Sequence, residues 1–170
     1  TFSKNKKPIL KVPKPLILKE GAKIMSLIDG RNKMSKSDPN EASRIALLDP
    51  AEVITKKIKR AKTDTQIGLE FNNPNRPESD NLLGIYSILS GHSRNTVAKE
   101  CADMGWGTFK PLLTDATISA LKPIQIRYQE LNKDRAELNR ILLEGRSKAE
   151  EVAQATLKRV HAALGLLDES

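Results

Sequence analysis

The chain has 170 residues, 38% of them hydrophobic and 29% charged, which suits one globular domain or one domain with part of another. No apolar run approaches the roughly 18 residues of a membrane-spanning helix, and a single cysteine, Cys101, excludes a disulfide framework and a thiolate metal cage. The net charge of +8 is unevenly placed: residues 1–70 hold 16 Lys and Arg against 8 Asp and Glu, while residues 71–170 hold 13 of each. A surplus confined to the first 70 residues points to contact with phosphate, in a nucleotide or in nucleic acid.

The chain opens on Thr1 without a signal-peptide pattern and reads as a fragment. Pro8, Pro13 and Pro15 keep residues 1–20 from forming a helix. Ile24-Met25-Ser26-Leu27-Ile28 is a short apolar run, predicted as a strand, and Asp29-Gly30 turns the chain. Residues 31–38 are polar and should form an exposed loop; Ile45-Ala46-Leu47-Leu48 is a second short apolar piece. Asp49-Pro50-Ala51-Glu52 predicts a helix start, with Asp49 capping, Pro50 in the first helical position and Glu52 closing a capping box. Val53, Ile54, Ile58 and Ala61 mark its buried face, and four cations, Lys56, Lys57, Lys59 and Arg60, suit either a solvated face or an RNA backbone.

Residues 68–80, rich in Asn and Pro, read as a loop and a linker between sub-domains. Leu82, Leu83, Ile85, Tyr86 and Leu89 form a helical stripe ending at Gly91, and Val97, Cys101 and Met104 a second one ending at Gly105. Ile118, Leu121, Ile124, Tyr128 and Leu131 belong to a long helix that Pro123 should kink or restart. Asp134 with Glu137 opens another helix, closed by Gly145, and Val152, Thr156, Val160, Ala163 and Leu167 stripe the last one. The pattern is mixed strand and loop at the front, then a helical bundle. Trp106, between glycine-flanked positions, is read as an anchor of its loop on the bundle, Cys101 as a buried small hydrophobe, and His92 and His161 as structural or surface residues.

Lys33-Met34-Ser35-Lys36-Ser37 carries the chemistry. Two lysines three positions apart on a polar loop suit a mobile phosphate clamp, since each ammonium is a compact charge with rotatable donors. Ser35, Ser37 and the backbone amides can add hydrogen bonds to phosphate. A loop that follows a strand is where α/β proteins bind ligands.

This five-residue string matches the signature loop of class I aminoacyl-tRNA synthetases. The run Gly21 to Leu27, the stretch Asp49 to Ala61, Asn81 to Tyr86, Gly105 to Lys110 and Pro123 to Tyr128 each resemble parts of the tryptophanyl-tRNA synthetases, and the likeness extends from about residue 8 to 165. The resemblance implies the C-terminal portion of such an enzyme, with an α/β plus all-α fold. Residues 1–70 would be the end of a Rossmann-like catalytic domain and residues 71–170 a helical anticodon-binding domain.

It further implies an ATP- and Mg²⁺-dependent activation of tryptophan to tryptophanyl-adenylate, then transfer to tRNA(Trp). Lys33 and Lys36 would be catalytic, holding the pyrophosphate portion of ATP. Ile24, Lys33, Met34, Ser35, Lys36 and Ser37 would bind ATP, with Ile24 and Met34 at the adenine end. A homodimer in the cytoplasm or an organelle is expected. The family's His-x-Gly-His signature does not occur in this chain, so the chain alone is expected to be inactive. A tyrosyl-tRNA synthetase fragment and a non-catalytic helical RNA-binding module are the competing readings.

Overall fold

The computed structural model describes residues 9–18 and 21–166. Their elements are a 3₁₀ turn at Glu41–Ser43 and five helices: α1 (Ala51–Arg60), α2 (Pro77–Ser90), α3 (Arg94–Cys101), α4 (Trp106–Lys133) and α5 (Arg135–Leu164). They group into two compact units. One is Ile17–Tyr128; the other joins the described parts of Thr1–Leu16 and Gln129–Ser170.

The first unit is built around one apolar core. Helix α1 buries Ile54 and Ile58, four residues apart and so on one face, each contributing about 2 kcal/mol by leaving water. Helix α2 adds Leu82 and Leu83, α3 adds Val97 and Cys101, and α4 adds Trp106, Phe109 and Leu113. Phe109 is the centre, meeting Tyr86 edge-on at 5.6 Å and Trp106 edge-on at 6.0 Å between ring centroids. The same core takes in Leu27 and Leu69, so residues on both sides of position 70 share it.

Several expected element ends hold. Gly91 closes α2 in the left-handed region, at φ 75°, which only glycine adopts without strain. The Asp134 carboxylate caps α5 by accepting the Glu137 N–H. Others differ. Pro50 is the N-cap of α1, not its first helical residue, and Asp49 does not cap. Its carboxylate instead accepts from Ala46 N at 2.9 Å and Lys57 Nζ at 2.6 Å, two partners that outcompete the helix end.

Pro123 neither ends nor restarts α4, which runs through it and through Pro111. An interior proline costs about 3 kcal/mol, a cost met by a helix of 28 residues held by the core through its first half. Gly145 does not close a helix either; α5 continues to Gly165. Ion pairs Arg140–Glu144, Glu144–Lys148 and Arg146–Glu150 bridge successive turns around it and keep the ladder going. Of the stripe expected on the last helix, Thr156, Val160 and Ala163 are half-buried, Val152 is exposed, and Leu167 lies outside the described residues.

Segment 68–80 is not a free linker. Leu69 is 2% exposed, α2 already begins at Pro77, and Arg76 is 5% exposed. The Arg76 guanidinium binds both Asp64 carboxylate oxygens, at 2.8 and 3.0 Å, and the Gly68 carbonyl at 2.7 Å. That guanidinium holds the Asp64 carboxyl down at about 2, with the Gln66 N–H and the Trp106 indole N–H helping. Trp106 is thus the expected anchor, its Nε1 donating to Asp64 at 3.2 Å. Cys101 is fully buried, and burial pushes its thiol up.

The expected strand at 24–28 is reduced to an isolated antiparallel bridge between Met25 and Lys33, and the described residues contain no named strand. The reason is visible in the hydrogen bonds. Leu27 N donates to Ser43 O and Leu27 O accepts from Lys62 N, so from Leu27 onward the backbone is satisfied by loops and the pairing stops after one bridge.

Candidate functional site

The Met25–Lys33 bridge makes a short hairpin whose second arm leads into the Lys33–Ser37 loop. Met34 N donates to Ile24 O at 2.9 Å and Ser26 N to Asn32 O at 2.8 Å. The hairpin turn is fastened by Asp29, whose carboxylate accepts from Arg31 N at 3.1 Å and from the Asn32 side-chain amide at 2.6 Å. Gly30 at this turn lies against the start of α2: a Cβ there would stand 2.8 Å from Glu78 N and 2.9 Å from Pro77 C. Only glycine permits that approach.

The first arm is also held from α2. The buried Asn81 side chain accepts from Met25 N at 2.8 Å and donates to Met25 O at 2.9 Å. Sequence reasoning gave Asn81 no role. Its one signal was an amide on the inward stripe of a predicted helix, where an apolar residue is the usual occupant.

Beyond Met34 the loop is held by its own short side chains. Ser37 N donates to Ser35 Oγ at 3.3 Å, and the two hydroxyls lie 3.1 Å apart. The far end is tied by Arg44 Nη1 to Asp38 O at 2.7 Å and by the Asp38 carboxylate to Asn40 N at 2.8 Å. Lys33, Ser35, Lys36 and Ser37 are exposed, and neither ammonium has a carboxylate partner among the described residues. A loop with tethered ends, two free cations and two hydroxyls can receive an anion with several oxygens.

Ile24 and Met34, joined by their backbone hydrogen bond, are half-buried and share an apolar depression of about 430 Å³ with Ile45, Ile85 and Leu121. The structure therefore brings together all six residues expected from the sequence: apolar Ile24 and Met34 on the hairpin, polar Lys33, Ser35, Lys36 and Ser37 at and beyond its end. A flat aromatic ligand suits the first pair and a polyphosphate the second.

A second cationic surface lies on α1. Lys56, Lys59 and Arg60 are exposed and have no acidic partner among the described residues. Lys57 is different, being half-buried and paired with Asp49 at 2.6 Å. Lys110, at the edge of the same region, donates to Lys59 O at 3.1 Å and Ala61 O at 2.7 Å, capping the carbonyl end of α1; burial pulls its ammonium down. His92 sits on the surface, 3.3 Å from Glu100, far in the chain from any of these groups.

Comparison with known proteins adds the chemistry's context. Residues 1–122 match the family described as tRNA synthetases class I (W and Y). The chain is 71% identical over 166 residues to a tryptophan–tRNA ligase of Prochlorococcus marinus (strain MIT 9313), a match covering 98% of this chain and 49% of that protein. Among solved structures, tryptophanyl-tRNA synthetase from Mycoplasma pneumoniae superposes with a TM-score of 0.77 at 29% identity, over 89% of this chain and 46% of that one. The Campylobacter jejuni enzyme, complexed with ADP and tryptophan, shares the fold with a TM-score of 0.62 at 22% identity, over 93% of this chain and 48% of its own. This chain spans about half the length of the curated relatives it matches.

Proposed function

We propose, since the chain belongs to the class I tRNA synthetases for W and Y, that it is the C-terminal portion of a tryptophan–tRNA ligase. The observation that carries this reading is 71% identity to such a ligase across nearly the whole chain. The longer protein would activate tryptophan with ATP. A carboxylate oxygen of tryptophan attacks the α-phosphorus, the bond from that phosphorus to the bridging oxygen breaks, and pyrophosphate leaves. The tryptophanyl group then passes to a terminal ribose hydroxyl of tRNA(Trp), releasing AMP.

In this scheme Lys33 and Lys36 are catalytic and hold the pyrophosphate portion. Negative charge grows on that group as it departs, so the ammonium contacts strengthen in the transition state and lower the barrier. Ser35 and Ser37 add hydroxyl donors. Ile24 and Met34 take the adenine end by apolar contact and by backbone groups. Mg²⁺ is expected with ATP, but no cluster of three acidic, His or Cys side chains occurs among the described residues, so no residue of this chain is proposed to ligate it.

Residues 1–70 are proposed as the margin of a Rossmann-like catalytic domain, contributing the hairpin and loop, and residues 71–170 as the helical anticodon-binding part. The exposed cations of α1 are proposed to meet the phosphates of tRNA. The longer protein is proposed to be a homodimer in the cytoplasm, with an organelle as the alternative; no described helix is long and apolar enough to cross a membrane.

The test is ATP–pyrophosphate exchange with tryptophan or tyrosine, run on the longer protein and on this chain alone. Exchange by the longer protein with tryptophan, and background from the chain alone, is the expected result. Exchange with tyrosine would replace the substrate, RNA binding without any exchange would make the protein a binding module, and full activity of the chain alone would end the idea of a divided site.

A further inference from the structure

Met25 is where the root of the Lys33–Ser37 loop meets the helical core. It faces Lys33 across the hairpin, and the hairpin's hydrogen bonds, Met34 N to Ile24 O and Ser26 N to Asn32 O, fall on either side of it. In an antiparallel pair a residue so placed turns its own N–H and C=O outward, where the next strand would take them. No strand lies there among the described residues. The carboxamide of Asn81 does, accepting the Met25 N–H at 2.8 Å and donating to the Met25 carbonyl at 2.9 Å. A side-chain carboxamide carries an acceptor oxygen and a donor N–H on the same side, so one residue does for Met25 what a neighbouring strand would.

Asn81 is a rigid point of attachment. It is 8% exposed, in the second turn of α2, and is followed by the fully buried Leu82 and Leu83. The preceding turn of the same helix backs directly onto Gly30, the tip of the hairpin. Helix α2 therefore holds the hairpin at one arm and at the turn, and the free arm delivers Lys33.

We propose that Asn81 is a positioning residue for the phosphate-binding loop. It touches no substrate; it sets where the loop's root sits relative to the core, and so where the Lys33 and Lys36 ammonium groups can reach. Displacement of such charges by about 1 Å costs rate steeply, because their contact must already be in place when the leaving group develops charge. The kinetic part of this proposal rests on the synthetase reading, and the geometric part does not.

The experiment uses the longer enzyme with Asn81→Ala and Asn81→Asp. Alanine removes both hydrogen bonds; aspartate keeps the acceptor and sets an oxygen against the Met25 carbonyl. Hydrogen exchange followed by mass spectrometry should show amides of residues 24–34 exchanging about tenfold faster or more, with α1, α3 and α4 unchanged. Pyrophosphate exchange should lose about tenfold or more in kcat while the KM for tryptophan stays put.

Unchanged protection of the hairpin overturns the proposal. So does faster exchange spread evenly over all helices, which would make Asn81 a residue of general stability, and so does a loosened hairpin with unchanged kcat. If the unsubstituted enzyme shows no tryptophan-dependent exchange, the synthetase reading fails, and the hydrogen-exchange result still decides whether Asn81 positions the loop.

Discussion

Lys36 stands at the outer bend of a loop whose ends are tied and whose middle is exposed. Its ammonium has no carboxylate to release before it can meet a phosphate, so its charge is fully available to a ligand. In the longer enzyme Lys36→Ala should therefore cost on the order of 3 kcal/mol of barrier, roughly a hundredfold in kcat, with a smaller change in ground-state ATP binding. Pyrophosphate-exchange kinetics measure both, and an altered KM for ATP with intact kcat would contradict the assignment. Asp64 is a residue of the opposite kind, fully engaged. The Arg76 guanidinium keeps its carboxyl at about 2 in the folded chain, below the ordinary value of 3.8. The unfolded chain thus takes up the proton first. The stability this pair supplies is present above about pH 4 and fades as pH falls toward 2. Comparing urea unfolding of the wild type with Asp64→Asn across that range should show a difference on the order of 1–2 kcal/mol at pH 5 that shrinks on acidification.

Helix α1 divides its charges by face. Lys57 turns inward to Asp49, while Lys56, Lys59 and Arg60 face solvent. Replacing those three with alanine should weaken tRNA binding and lower the slope of log affinity against log salt by about 3, one unit per lost phosphate contact. Equal slopes for both proteins would return the three cations to the role of a solvated face. Helix α5 offers a simpler test of local physics. Gly145 lies in mid-helix, and a Cβ there would meet nothing within 4 Å. Gly145→Ala should then raise stability by about 0.5–1 kcal/mol, read as a higher thermal midpoint.

These elements also mark what local sequence can and cannot say. The loop at 33–37 was legible because its lysines and serines act through identity and short spacing. The helix ends at Gly91 and Asp134 were legible because a left-handed glycine and a capping carboxylate act on their own neighbours. Asp49 was not, because its carboxylate is drawn to Lys57, eight residues on, and to a turn. Gly145 was not, because ion pairs across several turns override one weak residue. The clamp on Met25 was least legible of all, since its partner lies 56 positions away.

At the scale of the whole molecule, the single core of the unit Ile17–Tyr128 gathers Leu27, Ile54, Leu69, Leu83, Val97 and Phe109 from well-separated stretches of chain. The Asn- and Pro-rich stretch between α1 and α2 is part of that assembly and not a hinge beside it. Gly68 N and Leu69 N donate to the carbonyls of Met104 and Cys101, Glu70 N to the Ser79 hydroxyl, and Asn72 N to the Asp80 carboxylate. A protease needs extended, unbonded chain to work on, and this stretch cannot supply it without releasing Leu69 and Arg76 from the interior. Thermolysin, which favours apolar residues, should leave the bond before Leu69 intact for as long as the core persists; early cleavage there, with α1 to α4 still helical by circular dichroism, would contradict the packing described. The same fastening means that dividing the gene near position 70 would not yield two folding halves. Expressed apart, residues 1–70 would lack the surface that covers Leu27 and Ile54, residues 71–170 would expose Leu83 and Phe109, and each would regain structure only by finding the other.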